Sequence, residues 1–250
     1  MDIELINRLN QLNTEFYKTT AASFDQSRQY FWEGWEKIPP LLDVFQNIRV
    51  ADIGCGNGRF GQFLYKKKPQ LKISYTGIDS NEQLLAMAKE NLQGKIPALH
   101  LQQTDLITAI INAKDFLPNQ EFQLITSFGV LHHIPSYELR LALVKFLLSK
   151  LEVNGYLIIS FWQFMQFERF RKKIVTDQRM LTQKKISLIQ LEANDYILDW
   201  KRGEFALRYC HYVDENEQKK LIQESGAQLI TEYTNDGKEG IVNKYIILSK

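Results

Sequence analysis

Apolar and polar positions along this chain follow two periods, and the order in which those periods alternate predicts an α/β protein. Residues 2–16 read as an amphipathic helix, and RVADIG (49–54) as a short apolar strand ending at glycine, with a helix to follow from about Arg59. KISYTGID (72–79) reads as a second strand and SNEQLLAMAKENL as a second helix capped by Ser80 or Asn81. ALHLQQ (98–103) is the third strand and FQLITSFGV (122–130) the fourth. The strongly periodic SYELRLALVKFLLSKL is a helix, and GYLIISFW (155–162) is a fifth strand after the turn Asn154-Gly155. DENEQKKLIQESG (214–226) returns to the helical period. AQLITEY and IVNKYIILSK, joined by the turn-rich TNDGKEG, predict an antiparallel hairpin. The expectation is a seven-stranded, mostly parallel sheet with helices on both faces and that hairpin at its C-terminal end.

One stretch breaks the rhythm. Residues 163–207 are long, basic and aromatic, and an insertion of that length in a compact domain is expected to form a lid or substrate element. The division expected is one domain over residues 1–250, with 1–35 as a helical N-terminal cap. Composition agrees: 250 residues with 44% apolar and 24% charged side chains and no low-complexity tract are enough for an ordinary core. No apolar run approaches the roughly 20 residues that span a bilayer, and MDIELINRLNQLN lacks a basic region followed by an apolar one, so a cytoplasmic location without a membrane is expected. Cys55 lies in a glycine turn and Cys210 in an aromatic segment, with no metal-ligand spacing, so neither a disulfide nor a metal is expected.

The formal charge of +2 is a small difference between 31 basic and 29 acidic residues, so its distribution is more informative. Arg169, Arg171, Lys172, Lys173, Arg179, Lys184 and Lys185 stand against only Glu168 and Asp177, interleaved with Phe167 and Phe170. Such a run can track a phosphate backbone or simply be a solvated helix face.

Chemistry begins at ADIGCGNGRFG (51–61), where a buried strand gives way to a glycine turn and a helix. Gly54, Gly56 and Gly58 allow close approach to a ligand, but Gly56-x-Gly58-x-x-Gly61 also fits a dinucleotide fingerprint. Asp52 separates the two. A carboxylate just before the glycines repels a pyrophosphate and attracts the α-ammonium of S-adenosylmethionine. Asp79 and Asp105 follow the next two strands, placed for ribose hydroxyls and an adenine amino group, although each alone also fits a helix cap.

DIGCGNG, GIDS, TD and SFGVLHH resemble, in order, the motifs of the class I methyltransferases, a Rossmann-like fold using S-adenosylmethionine. A narrower likeness covers most of the chain, to the eukaryotic methyltransferases that esterify 5-carboxymethyluridine at the wobble position of tRNA. YKTTAASFDQSRQYFW (17–32) looks like that family's N-terminal signature, and LHHIPSYELRLALVKFL, ISFWQFMQ and DWKRGEFALRYCH resemble its later blocks. The resemblance implies tRNA as partner and, in eukaryotes, a small zinc-binding activator subunit. Glu33 and Asp199 stand where the family has proline, and Cys210 where it has an aromatic residue, so the acceptor pocket is open to difference.

Expected cofactor contacts are Tyr17, Arg28, Asp52, Gly54, Gly56, Asn57, Gly58, Asp79, Ser80, Thr104, Asp105, Leu106, Phe128 and Gly129. Expected substrate contacts are Trp32, His133, Trp162, Trp200 and Tyr209. The expected catalytic set is Arg28, His132, Arg208 and His211. A carboxylate acceptor is already ionised at neutral pH and needs an arginine fork, for which Arg28 and Arg208 are candidates. A phenol or amine acceptor needs a base, for which His132, His133 and His211 are suited. Three functions stay open: the tRNA wobble-uridine methyltransferase or a relative acting on a modified nucleoside, a small-molecule O- or N-methyltransferase, and a non-catalytic cofactor-binding subunit.

Overall fold

The period-two runs become strands, in a computed structural model that describes residues 1–26, 30–201 and 203–250, the side chain of Phe24 aside. The strands are β1 (Asn47–Ile53), β2 (Lys72–Asp79), β3 (Ala98–Gln103), β4 (Phe122–Phe128), β5 (Leu151–Trp162), β6 (Asp195–Trp200), β7 (Ala206–His211), β8 (Gln228–Asn235) and β9 (Asn243–Ser249). Seven form one sheet in the order β3-β2-β1-β4-β5-β9-β8, parallel from β3 to β5 and antiparallel at β9 and β8. The helices are α1 (Ile3–Gln26), α2 (Arg59–Lys67), α3 (Glu82–Leu92), α4 (Leu106–Ile111), α5 (Tyr137–Ser149), α6 (Glu168–Arg171), α7 (Gln178–Gln183) and α8 (Glu215–Ser225). The strand order reverses between β1 and β4, and a ligand crevice opens at the carboxyl ends of such neighbours. No described helix is long and apolar enough to cross a membrane.

Alternation along each strand divides the core between the two faces of the sheet. Ile53, Ile125 and Ile159 pack with α5 on one face; Val50, Tyr75 and Leu124 pack with α2 and with Trp35, Ile38 and Leu42 on the other. Period two from Val50 puts Asp52 on the second face, beside its register partner Thr126 and near Tyr75. That geometry decides the electrostatics of Asp52 below.

Three expectations change. The first helix runs on to Gln26 rather than stopping near residue 16, because its apolar stripe Leu5, Leu9, Leu12, Phe16 continues through buried Thr20 and Ala21. Asn154-Gly155 is not a turn before β5 but a bulge inside it, where the register against β4 jumps from Phe122↔Leu151 to Leu124↔Tyr156. Residues 163–207 hold α6, α7, β6 and the start of β7, and β6 pairs with β7 as a separate antiparallel ribbon. Leu5, Leu9 and Leu12 of α1 pack against Ile197, Leu207 and Tyr209 of that ribbon, so the N-terminal helix and the insertion share one small core.

Candidate active site

The loop after β1 makes the first wall of the site. Gly54 N and Cys55 N donate to Ile78 O at 2.7 and 3.0 Å, and Gly56 N donates to Asp79 Oδ2 at 2.9 Å, which ties the glycine turn to the end of β2. Gly56 has φ +54°, and a Cβ on it would meet nothing within 4 Å, so the loop presents open space to a ligand. Gly58 has a different task. Its φ is +74° and a Cβ there would press on Leu92 and Ala88 at 2.9 and 3.1 Å; it lets α2 lie against α3 and is not among the residues lining the two cavities described next, although a cofactor contact is expected of it.

Two abutting cavities sit over the carboxyl edge of the sheet. The smaller, about 140 Å³, is lined by Asp79, Ser80, Thr104, Asp105, Leu106 and His133, and the larger, about 360 Å³, by Asp52, Asn57, Trp32, His132, Trp162, Trp200 and Arg208. Tyr17, Gly54, Gly56, Phe128 and Gly129 line both and mark where they meet. Arg28 lies outside the described residues.

Donor chemistry suits an adenosine in the smaller cavity and a cationic, amino-acid-like group beyond it. Asp79 accepts from Gly56 N and, through Oδ1, from Asn81 N at 2.9 Å, which leaves acceptor capacity on an ionised carboxylate. Asp105 is also the N-cap of α4: Oδ1 accepts from Ile107 N and Thr108 N, and Oδ2 from Asn10 Nδ2 at 2.7 Å and Thr108 Oγ1 at 2.9 Å. Asp52 is buried and accepts from Tyr75 OH and from Thr126 Oγ1 at 2.8 Å. Burial pushes its pKa up to about 6 against these two hydrogen bonds. Such a carboxyl gains from a nearby cation.

Arg208 is 5% exposed. Its guanidinium carbon lies 4.9 Å from the ring of Trp162, 5.1 Å from Phe16 and 5.8 Å from Trp200. Among the described residues no carboxylate pairs with it, and its Nε has no hydrogen-bond partner. Arg140 shows what a buried structural arginine looks like here: it bonds Glu217 at 2.6 Å, Ile134 O at 2.9 Å and Glu192 at 3.2 Å. A desolvated guanidinium without an anion is costly, and Arg208 faces the cavity.

The histidines separate. His132 lines the larger cavity, its ring 5.5 Å from Trp162. His133, expected to contact substrate, lines the smaller cavity and not the larger: Nδ1 lies 3.0 Å from Tyr209 O and Nε2 2.8 Å from Tyr17 OH. A carbonyl only accepts, so Nδ1 carries a proton toward Tyr209 O. His211 and Tyr209 line neither cavity, correcting the catalytic and substrate roles expected of them. Both point from β7 to its other face, where each bonds Asp195.

Two side-chain groups bring potential metal-ligand atoms within 4.8 Å of one another: His132, His133 and Cys210; and Glu192, Asp195 and His211. In the first, both His133 nitrogens are hydrogen-bonded, and burial pushes the Cys210 thiol up to about 11. The second already contains the Arg140 guanidinium as its cation. The second is a hydrogen-bond network, and neither is assigned to a metal.

Other contributors escaped the sequence reading. Asn10, Asn13 and Thr14 of α1 line the smaller cavity, and their spacing with Tyr17 on one helical face was the available signal. Asp25, Arg59, Asp236 and Asn243 line the larger cavity, the last two from the hairpin loop and β9, where nothing but turn chemistry was visible. Among the described residues, three of the seven cations in the basic segment form ion pairs: Arg169 with Glu239, Lys172 with Glu168 and Lys184 with Glu15. Lys173 instead lines the larger cavity, 5.8 Å from the Trp200 ring.

A family model described as "Methyltransferase domain" matches residues 24–232. The chain is 27% identical to the tRNA (carboxymethyluridine(34)-5-O)-methyltransferase of Saccharomyces cerevisiae over 157 residues, 60% of this chain and 47% of that protein. It is 35% identical to a trans-aconitate 2-methyltransferase of Rhodopseudomonas palustris over 74 residues, 27% of this chain and 28% of that protein. The chain thus spans less than half the length of these curated relatives. Among solved structures, a SAM-dependent methyltransferase from Methanosarcina mazei superposes with a TM-score of 0.62 at 16% identity, covering 84% of this chain and 96% of that one.

Proposed function

This chain belongs to the methyltransferase-domain family, carries the fold of its S-adenosylmethionine-dependent members, and from that premise we propose that it forms a methyl ester on a carboxylate, the acceptor being the carboxymethyl group of a wobble uridine in tRNA. The observation that carries the reading is Arg208, a buried guanidinium in the acceptor cavity with no anion of its own among the described residues. An acceptor carboxylate supplies that anion through two parallel hydrogen bonds.

The cofactor supplies a sulfonium methyl: as the acceptor oxygen bonds to that carbon, the sulfur–carbon bond breaks and its electron pair stays on sulfur. The chain's own residues align and desolvate. Asp79 and the Gly56 amide it tethers would hold the ribose side, Asp52 would face the cationic end, and Tyr17, Phe128 and Gly129 wall the junction of the two cavities, where the methyl would lie. Trp162 and Trp200 flank Arg208 and offer a stacking surface to a base. No proton leaves a carboxylate, so no base is needed. The S. cerevisiae relative supports the tRNA acceptor. Nucleoside mass spectrometry of tRNA from cells lacking the gene tests it: accumulation of the free carboxymethyl nucleoside is expected, and an unchanged nucleoside profile overturns it.

Asp52 makes cofactor binding pH-dependent. Its carboxyl titrates near pH 6 in the free protein, so below that value a proton must leave before a cation gains from it. Affinity is expected to be flat from pH 7 to 8 and to be weaker by about tenfold at pH 5, one pH unit being about 1.4 kcal/mol. Calorimetry of S-adenosylmethionine binding checks this, and Asp52→Asn removes the slope. An equal Kd at pH 7 and pH 5 would show that Asp52 does not sense the cofactor.

The two adjacent lysines should differ. Lys173 lines the cavity, while Lys172 is exposed and paired with Glu168. Lys173→Glu is expected to raise the KM for tRNA by about tenfold and to reduce the salt slope of binding by about one, as for loss of one phosphate contact. Lys172→Glu changes neither. Methylation insensitive to both, and to salt, favours the reading in which the basic segment is a solvated face and the acceptor a small free carboxylic acid.

A further inference from the structure

Strand β7 shows the cavity only one of its faces. Arg208 is on that face, and His211, 1% exposed, is on the other. His211 Nδ1 lies 2.7 Å from Asp195 Oδ1, and Nε2 lies 2.7 Å from Glu217 Oε2. Carboxylates only accept, so both nitrogens carry hydrogen and the ring is an imidazolium. Asp195 of β6 also accepts from Tyr209 OH of β7 at 2.6 Å and from Glu192 N at 2.9 Å. Glu217 of α8 also accepts from Arg140 Nε of α5 at 2.6 Å, Arg140 reaches Glu192 at 3.2 Å, and Asp214 caps α8 with Asn194 bonded to it at 3.1 Å. Glu192, Asp195 and Glu217 thus face two cations, Arg140 and His211. Without its proton His211 turns a lone pair on a carboxylate.

We propose that His211, bridging Asp195 and Glu217, is the positioning residue that sets Arg208 against the acceptor carboxylate. The proposal rests on the reading of Arg208 given above. The open edge of β7 is fixed at Tyr209, whose N–H donates to Asn13 Oδ1 at 2.8 Å and whose carbonyl accepts from His133 at 3.0 Å. A strand held at one edge still swings about it, and the bridge from its far face to α8 stops that swing one turn of the pleat from Arg208. Burial works against the imidazolium, but the bonds to Asp195 and Glu217 outweigh it and hold His211 above the ordinary histidine value. The bridge is therefore whole below the folded-state pKa and is lost as pH rises through it.

The test uses the whole protein, with tRNA from cells lacking it as acceptor. The acceptor KM is expected to be flat while His211 is protonated and to rise about tenfold as the imidazolium is lost, with a midpoint above the ordinary histidine value, a loss of charge-assisted bonding, while kcat stays within about twofold. Glu217→Gln moves that limb to lower pH by about one unit, the direction expected when a stabilising anion is removed. His211→Gln has the high KM throughout and no limb, with affinity for S-adenosylhomocysteine unchanged. A readout free of turnover is the Arg208 Nε–H resonance, identified by its loss in Arg208→Lys and displaced by the rings of Trp162 and Trp200. It should shift with the His211 midpoint in the wild-type protein and follow that midpoint in Glu217→Gln. A resonance indifferent to His211 titration overturns the proposal even if carboxylates are methylated. A resonance that follows His211 in a protein inactive on carboxylates supports the bridge and overturns the acceptor reading.

Discussion

Arg208→Lys is expected to lower kcat/KM for methyl-ester formation by at least about thirtyfold, and Arg208→Met by about a thousandfold, with cofactor affinity unchanged in both. Removing one partner of a buried, hydrogen-bonded charge pair costs about 2 to 5 kcal/mol, and the pair here is completed by the acceptor. Lysine keeps the charge but not the planar fork, and its ammonium would sit among Phe16, Trp162 and Trp200 without the hydrogen bonds it needs. Stability should move the other way. Arg208 is desolvated without an anion in the free protein, so Arg208→Met is expected to raise Tm while activity falls, a trade-off typical of a strained functional site. Kinetics with a fixed acceptor and thermal melts of the same samples check both halves. A Tm that falls as it would for loss of Arg140, with activity retained, would return Arg208 to a structural role. Since no base is titrated, His132→Asn should leave the pH profile of kcat unchanged in shape near neutrality.

The second large effect is at Asp79. Asp79→Ala is expected to weaken binding of S-adenosylhomocysteine by about 1.5 to 3 kcal/mol, or roughly ten- to 150-fold, the range for hydrogen bonds to a charged group. Two losses combine: the carboxylate proposed to receive the ribose and the tether on Gly56 N, without which the glycine turn is free to leave the end of β2. Calorimetry measures it directly. An unchanged affinity would reduce Asp79 to a loop fastener.

Most of the main sheet was legible because its strands are short apolar or alternating runs, with β1 and β4 buried on both faces, and its helices carry one apolar stripe, so period and length distinguish them. β2 and β3 fall on the very residues the pattern marks, Lys72–Asp79 and Ala98–Gln103. The β6–β7 ribbon was not legible, because DYILDW and ALRYCH mix charged and aromatic residues on both faces, and the buried charges are paired only in three dimensions. The same cause misplaced His211 and Tyr209. In RYCH every second side chain faces the cavity, and without the register Arg208 and His211 look equally available to a substrate. Asp52 shows the converse: its place before the glycines was plain, but its partners Tyr75 and Thr126 come from two other strands.

The buried, anion-less guanidinium also bears on how a turnover ends. Methylation erases two formal charges at once, the sulfonium's on the donor and the carboxylate's on the acceptor. An ester oxygen is a poor substitute for an ionised one at a desolvated arginine, so the fork that grips the acid has little hold on its ester. With a carboxylate acceptor as proposed, the pocket would discriminate between reactant and product by charge alone: the ester would be released and a fresh acid preferred, with no separate device needed to keep the reaction running forward.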